Sequence, residues 1–409
     1  MPLKAVMYGA GNIGRGFIGQ IFAQSGYEIC FIDINETVID AINKDRRYPV
    51  RILRENGGED IWIEGVRAVN GNDPDKAAQA IAEADIMASA VGVRVLPHIA
   101  HVMAAGLKRR FASGNKPLNI IICENLIDAD GILKRLIKDR LGREEQAIFD
   151  EQVGLVKSSI GRMVPIQTDE MHDGNILRVC VEEYGFLPVD KAAFKGAPHL
   201  TGICPFDDFN FYIQRKLFIH NMGHAACAYL GTIKGDTCIY ETTNNGSILF
   251  IAQNAMLESA LALSAKYGRS LTDLHYHILD LLKRFSNKAL ADTCARVGAD
   301  TARKLGNQDR LIGALLFCAG QGVNAAYISA GAAAALYCHL KEKGISQSRE
   351  AAQAVLRDVS GLTGDSAEAE KVLLFYSIFA SFPVTGDFNG VINKIIKTAS
   401  DMTCTEAIV

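Results

Sequence analysis

Three glycines in the spacing G-x-G-x-x-G, Gly9, Gly11 and Gly14, follow the apolar run Ala5-Val6-Met7-Tyr8 and open a segment of helical periodicity. Few local patterns restrict a fold so strongly. Here a strand has to end, turn sharply and feed a helix, and each glycine has a task. Gly9 permits the turn, Gly11 lets the backbone approach a phosphate, and Gly14 lets helix and strand pack closely. The N–H groups around Asn12 and Ile13 then face an anion at the positive end of the helix dipole. An acidic residue agrees: Asp33 closes the next apolar run, 19 residues past Gly14, where a carboxylate can accept both hydroxyls of an adenosine ribose.

The same carboxylate would repel a 2′-phosphate, and the next residues are Ile34 and Asn35 rather than arginine. NAD is therefore expected over NADP. The motif alone leaves FAD and S-adenosylmethionine open, since related folds bind them. The bland alternative is a set of ordinary turn glycines with a solvated aspartate.

From residue 3 to about 141 short apolar runs alternate with helical patterns, the mark of β-α-β units and a parallel sheet. Strands are expected at 4–8, 28–33, 85–90 and 118–123, and helices at 13–25, 37–44, 75–82 and 95–112. A hairpin turning at Asn56-Gly57-Gly58 is read within 50–69 as an insertion, and strands at 154–160 and 176–183 as extensions of the sheet. The stretch 185–205 holds three of ten prolines and no sustained period, so it reads as a linker.

Beyond it helices are expected at 209–230, 248–266, 271–285, 308–318, 324–343, 346–357 and 367–381, with Gly231, Gly268 and Gly344 as helix ends. At 409 residues the chain exceeds one core. The fold class expected is α/β: an N-terminal Rossmann doubly wound sheet with extra strands over 1–195, then a mostly α-helical domain over 196–409.

Composition narrows the partners. With 43 Lys and Arg against 46 Asp and Glu there is no basic field for nucleic acid, so a small molecule is expected. The apolar stretch 326–338 is too short for a membrane span and reads as a buried bundle helix. Ten scattered cysteines without C-x-x-C or zinc spacing, and an opening with no leader pattern, suggest buried thiols in a reducing cytoplasm and no metal site.

Two further segments, Ala90-Val91-Gly92 and Cys123-Glu124-Asn125, fall at strand ends on the ligand face of such a sheet. Val91 and Gly92 are candidate cofactor contacts, although Gly92 also suits a plain turn. Asn125 equally suits the cap of a helix over 126–137. Farther on, Lys216-x4-Asn221-x2-His224 places three polar side chains within about 140° of arc at α-helical spacing. Gly223 among them suggests close approach by a ligand or by backbone. From spacing alone this is also a solvated helix face with a partly buried histidine.

The succession Gly9-Ala10-Gly11-Asn12-Ile13-Gly14-Arg15-Gly16-Phe17-Ile18-Gly19, Cys123-Glu124-Asn125, Arg215-Lys216-Leu217-Phe218 with Asn221 and Gly223-His224-Ala225, and Ala228-Tyr229-Leu230-Gly231 resembles the polyol-specific long-chain dehydrogenases. The likeness runs in order over 4–312, and its Lys-x4-Asn-x2-His element is far more specific than the glycine motif. Beyond Gly313 only helical character matches. The resemblance implies metal-independent hydride transfer. In it Lys216 takes the alcohol proton, Asn125 and Asn221 donate hydrogen bonds to the developing alkoxide, and His224 orients the substrate. A free lysine near ~10.4 is a poor base at neutral pH, so burial beside other donors is expected to assist it.

Arg296, Arg303, Lys304 and Arg310 form a basic cluster similar to that of family members acting on a sugar-alcohol phosphate, and they are the candidate phosphate ligands. A solvated surface is the plain alternative. Ala299, Asp300, Thr301 and Ala302 stand where the family pattern carries an arginine and a proline, and His220 and Met222 flank Asn221 in place of smaller or apolar residues. The expected activity is oxidation of a sugar-alcohol phosphate to a ketose phosphate, or the reverse. An unphosphorylated polyol or a hexonate is the nearest alternative substrate, and a non-catalytic NAD-binding redox regulator is the alternative of another class.

Overall fold

The computed structural model describes residues 2–54, 57–114, 116–126, 128–381 and 387–404. Two compact units divide the chain at residues 212 and 213. The first is built on six parallel strands: β1 (Leu3–Tyr8), β2 (Tyr27–Asp33), β5 (Val66–Asn70), β6 (Ile86–Ser89), β7 (Leu118–Ile122) and β8 (Val153–Lys157). Their order is β5-β2-β1-β6-β7-β8. With the inserted strands β3 (Arg47–Arg54) and β4 (Gly57–Glu64) set aside, this is the doubly wound dinucleotide-binding order. The chain crosses from β1 to β2 on one side and to β6 on the other, so a crevice opens at the C-terminal end of β1.

Both faces of the sheet are covered, because alternate side chains serve separate cores. Ala5 and Met7 join Phe17, Phe22, Phe31 and Tyr48 on one face, while Val6 and Tyr8 join Ala77, Ile81, Leu96 and Met103 on the other. The helix Glu36–Asp45 begins at Asn35, whose side chain accepts from Val38 N. The helix Pro74–Glu83 begins at Asp73, with proline at its first position.

The hairpin is present, although Asn56 lies outside the described residues. Its β3 pairs antiparallel with β4 and parallel with β9 (Val179–Val181), making a three-stranded second sheet. The run at 176–183 therefore does not extend the main sheet as expected, whereas β8 does. Val179 and Val181 are fully buried against the helix that follows the glycine loop, and that contact decides which sheet β9 joins. The stretch at 185–205 is more than a linker, since β10 (Leu187–Asp190) and β11 (Ile203–Phe206) pair in parallel across it.

The second unit is helical. Met222–Lys234, Gly246–Tyr267 and Ala326–Glu342 pack on one another at its centre. Gly246–Tyr267 is long and apolar enough to cross a membrane by length and composition, and 56% of that window is buried. The alanine-rich helix Ala326–Glu342 is the buried bundle element its composition suggested. Its N-terminus lacks a capping side chain at Ala325, and Glu258 substitutes: its two oxygens accept from Tyr327 N and Ile328 N at 2.9 Å each.

Gly268 and Gly344 end helices at positive φ, as expected. Gly231 does not. It lies inside Met222–Lys234, where a Cβ would strike Thr242 Oγ1, and Gly235 makes the turn instead. The close approach at Gly223 is by a side chain of the bundle: a Cβ there would sit 2.5 Å from Met256 Sδ.

Candidate active site

In the first unit the glycine loop has the geometry its spacing demands. Gly9 has φ +101°, and a Cβ on it would come within 2.5 Å of Ala90 O. A Cβ on Gly14 would strike the Gly9 carbonyl oxygen, whereas one on Gly11 would meet nothing within 4 Å. The loop is thus packed against protein on two sides and open at the one position where a phosphate has to approach.

Asp33 is fixed in place by backbone donors. Its Oδ2 accepts from Ala10 N at 2.6 Å, and its Oδ1 from Ile34 N and Asn35 N at 2.8 and 3.0 Å. An ionised carboxylate offers about four lone-pair sites. One therefore remains beside this loop for a ribose hydroxyl.

Val91 and Gly92 lie at the end of β6, and Gly92 turns at φ +90°. Their N–H groups are occupied: Glu124, nearly buried, accepts from Val91 N through Oε1 at 3.0 Å and from Gly92 N through Oε2 at 2.8 Å. Sequence reasoning gave Glu124 no role, although it stands between two residues of a quoted motif. It ties the C-terminal ends of β6 and β7 together. Asn125 follows it in an exposed bend and is not a helix cap, because the helix begins later, at Ala129, after Asp128.

In the second unit Lys216–Asn221 is a π-helical turn set between the α-helices Phe209–Arg215 and Met222–Lys234. Met222 N donates to Leu217 O, five residues back. A π turn closes between i and i+5. Lys216 and Asn221 therefore stand close to one full turn apart, where α spacing would separate them by about 140°. His224, three α-helical residues past Asn221, returns by about 60° toward the same side. All three are partly buried.

His224 stacks on Phe285 with centroids 4.5 Å apart and planes 12° apart, and its Nε2 lies 3.3 Å from Asp292 Oδ2. Burial lowers the imidazole pKa against the opposing pull of Asp292, so the ring is neutral at pH 7. His220, behind it on Phe285, is pushed well below the ordinary value by burial and then by Arg284 and His224.

Asp292 is a second residue that the sequence reading passed over. Burial alone would raise its carboxyl, but His224 and Arg296 hold it below the usual range. Arg296 grips both its oxygens, Nε to Oδ1 at 2.7 Å and Nη2 to Oδ2 at 2.6 Å. Arg303 is held by Asp300 and Asp309, and Arg310 by Asp309. Lys304 differs. It is 4% exposed and has no hydrogen-bond or ion-pair partner for its ammonium among the described residues. Burial, then Arg310 and Arg303, bring it down to about 8.

The cofactor residues and Asn125 belong to the first unit, and Lys216, Asn221, His224 and the basic cluster to the second. Residues 3–202 match the family model of the mannitol dehydrogenase Rossmann domain, and residues 208–397 that of the mannitol dehydrogenase C-terminal domain. The chain belongs to the mannitol dehydrogenase family. It is an oxidoreductase, a polyol dehydrogenase by descent, which removes the non-catalytic regulator reading.

It is 39% identical over 335 residues to mannitol-1-phosphate 5-dehydrogenase of Brevibacillus brevis, covering 82% of this chain and 86% of that protein. In fold it is similar to Pseudomonas fluorescens mannitol 2-dehydrogenase, solved as a ternary complex with NAD and D-mannitol (TM-score 0.75, 16% identity, 97% of this chain and 94% of that one). It is similar also to a D-sorbitol dehydrogenase solved without substrate (TM-score 0.76, 16% identity, 96% and 95%).

Proposed function

We propose that this member of the mannitol dehydrogenase family is an NAD-dependent, metal-independent polyol phosphate dehydrogenase interconverting D-mannitol 1-phosphate and D-fructose 6-phosphate in the cytoplasm. The observation that carries the chemistry is the π turn, which sets Lys216 and Asn221 on one side of their helix. The substrate reading is supported by the identity with the Brevibacillus mannitol-1-phosphate 5-dehydrogenase and by the largely buried Lys304, whose ammonium has no hydrogen-bond or ion-pair partner among the described residues.

The open space at Gly11 and the N–H groups of Asn12, Ile13 and Gly14 suit a pyrophosphate, and Asp33 suits an unphosphorylated ribose. When bound, NAD supplies the hydride acceptor. The Lys216 amine takes the hydroxyl proton as the hydride leaves, which requires hydrogen-bond reach of that oxygen. Asn221 donates to the developing alkoxide, at ~2.7–4 kcal/mol per donor in comparable sites. His224, with Nε2 toward Asp292, has its other ring nitrogen left to orient a substrate hydroxyl. Lys304, with Arg296, Arg303 and Arg310 around it, takes the phosphate.

Pairing of all three arginines with aspartates favours a second reading, an unphosphorylated polyol or hexonate such as mannitol, mannonate or altronate. Turnover of fructose 6-phosphate, fructose and fructuronate with NADH separates the two. The phosphate reading expects kcat/KM for fructose 6-phosphate higher by about 100-fold or more, since charge-assisted hydrogen bonds contribute ~1.5–3 kcal/mol each. Equal or better turnover of either unphosphorylated ketose overturns it.

A further inference from the structure

The helix that begins at the glycine loop is π-helical over Gly14–Ile18 before it becomes α-helical at Gly19, whose N–H donates to Gly14 O. An inserted residue of this kind opens the i→i−4 ladder, and the carbonyls it turns aside need donors from elsewhere. Two come from outside the helix. Tyr48 Oη on β3 donates to Arg15 O at 2.8 Å, and Arg162 Nη1 donates to Gly16 O at 2.9 Å and to Gln20 Oε1 at 2.7 Å.

Both donors are fixed. Tyr48 is fully buried with its ring edge-on to Phe31, and Arg162 is 6% exposed with its guanidinium over the Phe17 ring. Arg15 points inward and gives Nε to Ala10 O at 2.6 Å and Nη1 to Leu177 O.

Two glycines beyond the dinucleotide motif are explained by this contact. A Cβ on Gly19 would strike the Tyr48 hydroxyl, and one on Gly16 would lie 2.7 Å from Val179 Cγ1 and 2.9 Å from Val181 Cγ1. Their absence lets the inserted sheet of β3, β4 and β9 rest directly on the π turn.

We propose that Tyr48 and Arg162 are positioning residues for dinucleotide binding: by holding the carbonyls of Arg15 and Gly16 they fix the π turn, and with it the direction of the N–H groups of Gly11 to Gly14 that face the pyrophosphate. The inserted sheet thereby acts on cofactor affinity without touching the cofactor. The inference rests on the dinucleotide reading of the glycine loop.

The test is NADH and ADP binding to the purified full chain by fluorescence titration, with adenosine as competitor, for the wild type, Tyr48→Phe, Arg162→Met and Arg162→Lys. Loss of one hydrogen bond of ~1 ± 0.5 kcal/mol corresponds to a factor of about three to ten. Tyr48→Phe should weaken NADH and ADP by that factor and leave adenosine, which has no phosphate, within twofold. Arg162→Met should weaken both more, and Arg162→Lys should recover part of the loss. KM for NADH should rise by the same factor while kcat at saturating NADH falls less than twofold.

Variants that melt at lower temperature yet bind NADH within twofold of the wild type would overturn the proposal and leave Tyr48 and Arg162 merely structural. A wild type that binds neither NADH nor ADP would overturn the dinucleotide reading itself.

Discussion

The two units each break α-helical order with a π turn, at Gly14–Ile18 and at Lys216–Asn221, and the turns differ in what is tied to them. The first is gripped through its backbone by buried donors from Tyr48 and Arg162, and its glycines leave no room for side chains. The second carries polar side chains, and His220 within it and His224 just beyond it pack on Phe285. In the functions proposed above, the first irregularity aims main-chain N–H groups and the second re-phases side chains, the two means by which a helix can present polar groups to a ligand.

The largest test of that contrast is Lys216→Ala. Loss of a general base should lower kcat by about 10²–10⁴ while NADH affinity, which belongs to the other turn, stays within twofold. A fall in NADH affinity with little change in kcat would merge the two roles. Asn221→Ala should follow, with kcat down by about 10²–10³ as for one lost alkoxide donor, read in single-turnover assays with NADH and ketose phosphate. If only KM moved, Asn221 would be a binding group and the two turns would be alike.

The smallest effect concerns stability. Burial pushes Glu258 up to about 8 from an ordinary 4.5, although the N–H groups of Tyr327 and Ile328 pull it down. Between those values the folded state holds a proton that the unfolded chain has lost, so this contribution is full below about pH 4.5 and is lost as pH rises toward 8. Far-UV circular dichroism, dominated by the helical unit, should show a melting temperature that falls from about pH 5 to pH 8, and Glu258→Gln should flatten that slope. Fluorescence of Trp62, the chain's one tryptophan and a residue of β4, should show no such change in slope, because it reports the other unit.

The same contrast governs what could be read in advance. The glycine loop, β1, β2, β6 and β7 were legible because local sterics dictate them: a residue needing positive φ at Gly9 and a close contact at Gly14 leave little choice. β9 was assigned to the wrong sheet because three residues do not carry their partner in their own pattern. Glu124 went unassigned because its partners are backbone N–H groups, those of Val91 and Gly92, far away in sequence, and Asp292 because His224 is likewise distant from it along the chain. Gly223 suggested close approach by a ligand or by backbone and Gly231 a helix end, yet both are places where helices pack against the side chains of Met256 and Thr242.

At Lys216 the sequence reading used α-helical spacing, and the structure has a π turn there instead. Hydrophobic periodicity over 209–230 is indifferent to one inserted residue, so nothing local announced the π turn that narrows the arc.

The central claim of the proposed function is that Lys216 and Asn221, on one π turn, serve one oxygen. A crystal structure of the chain with NAD and mannitol 1-phosphate tests it directly. The account predicts the Lys216 Nζ and the Asn221 Nδ2 both within about 3.2 Å of the oxygen on the carbon that gives up hydride. A structure with that oxygen bound by other groups, or with the Asn221 carboxamide turned away from it, would contradict the account.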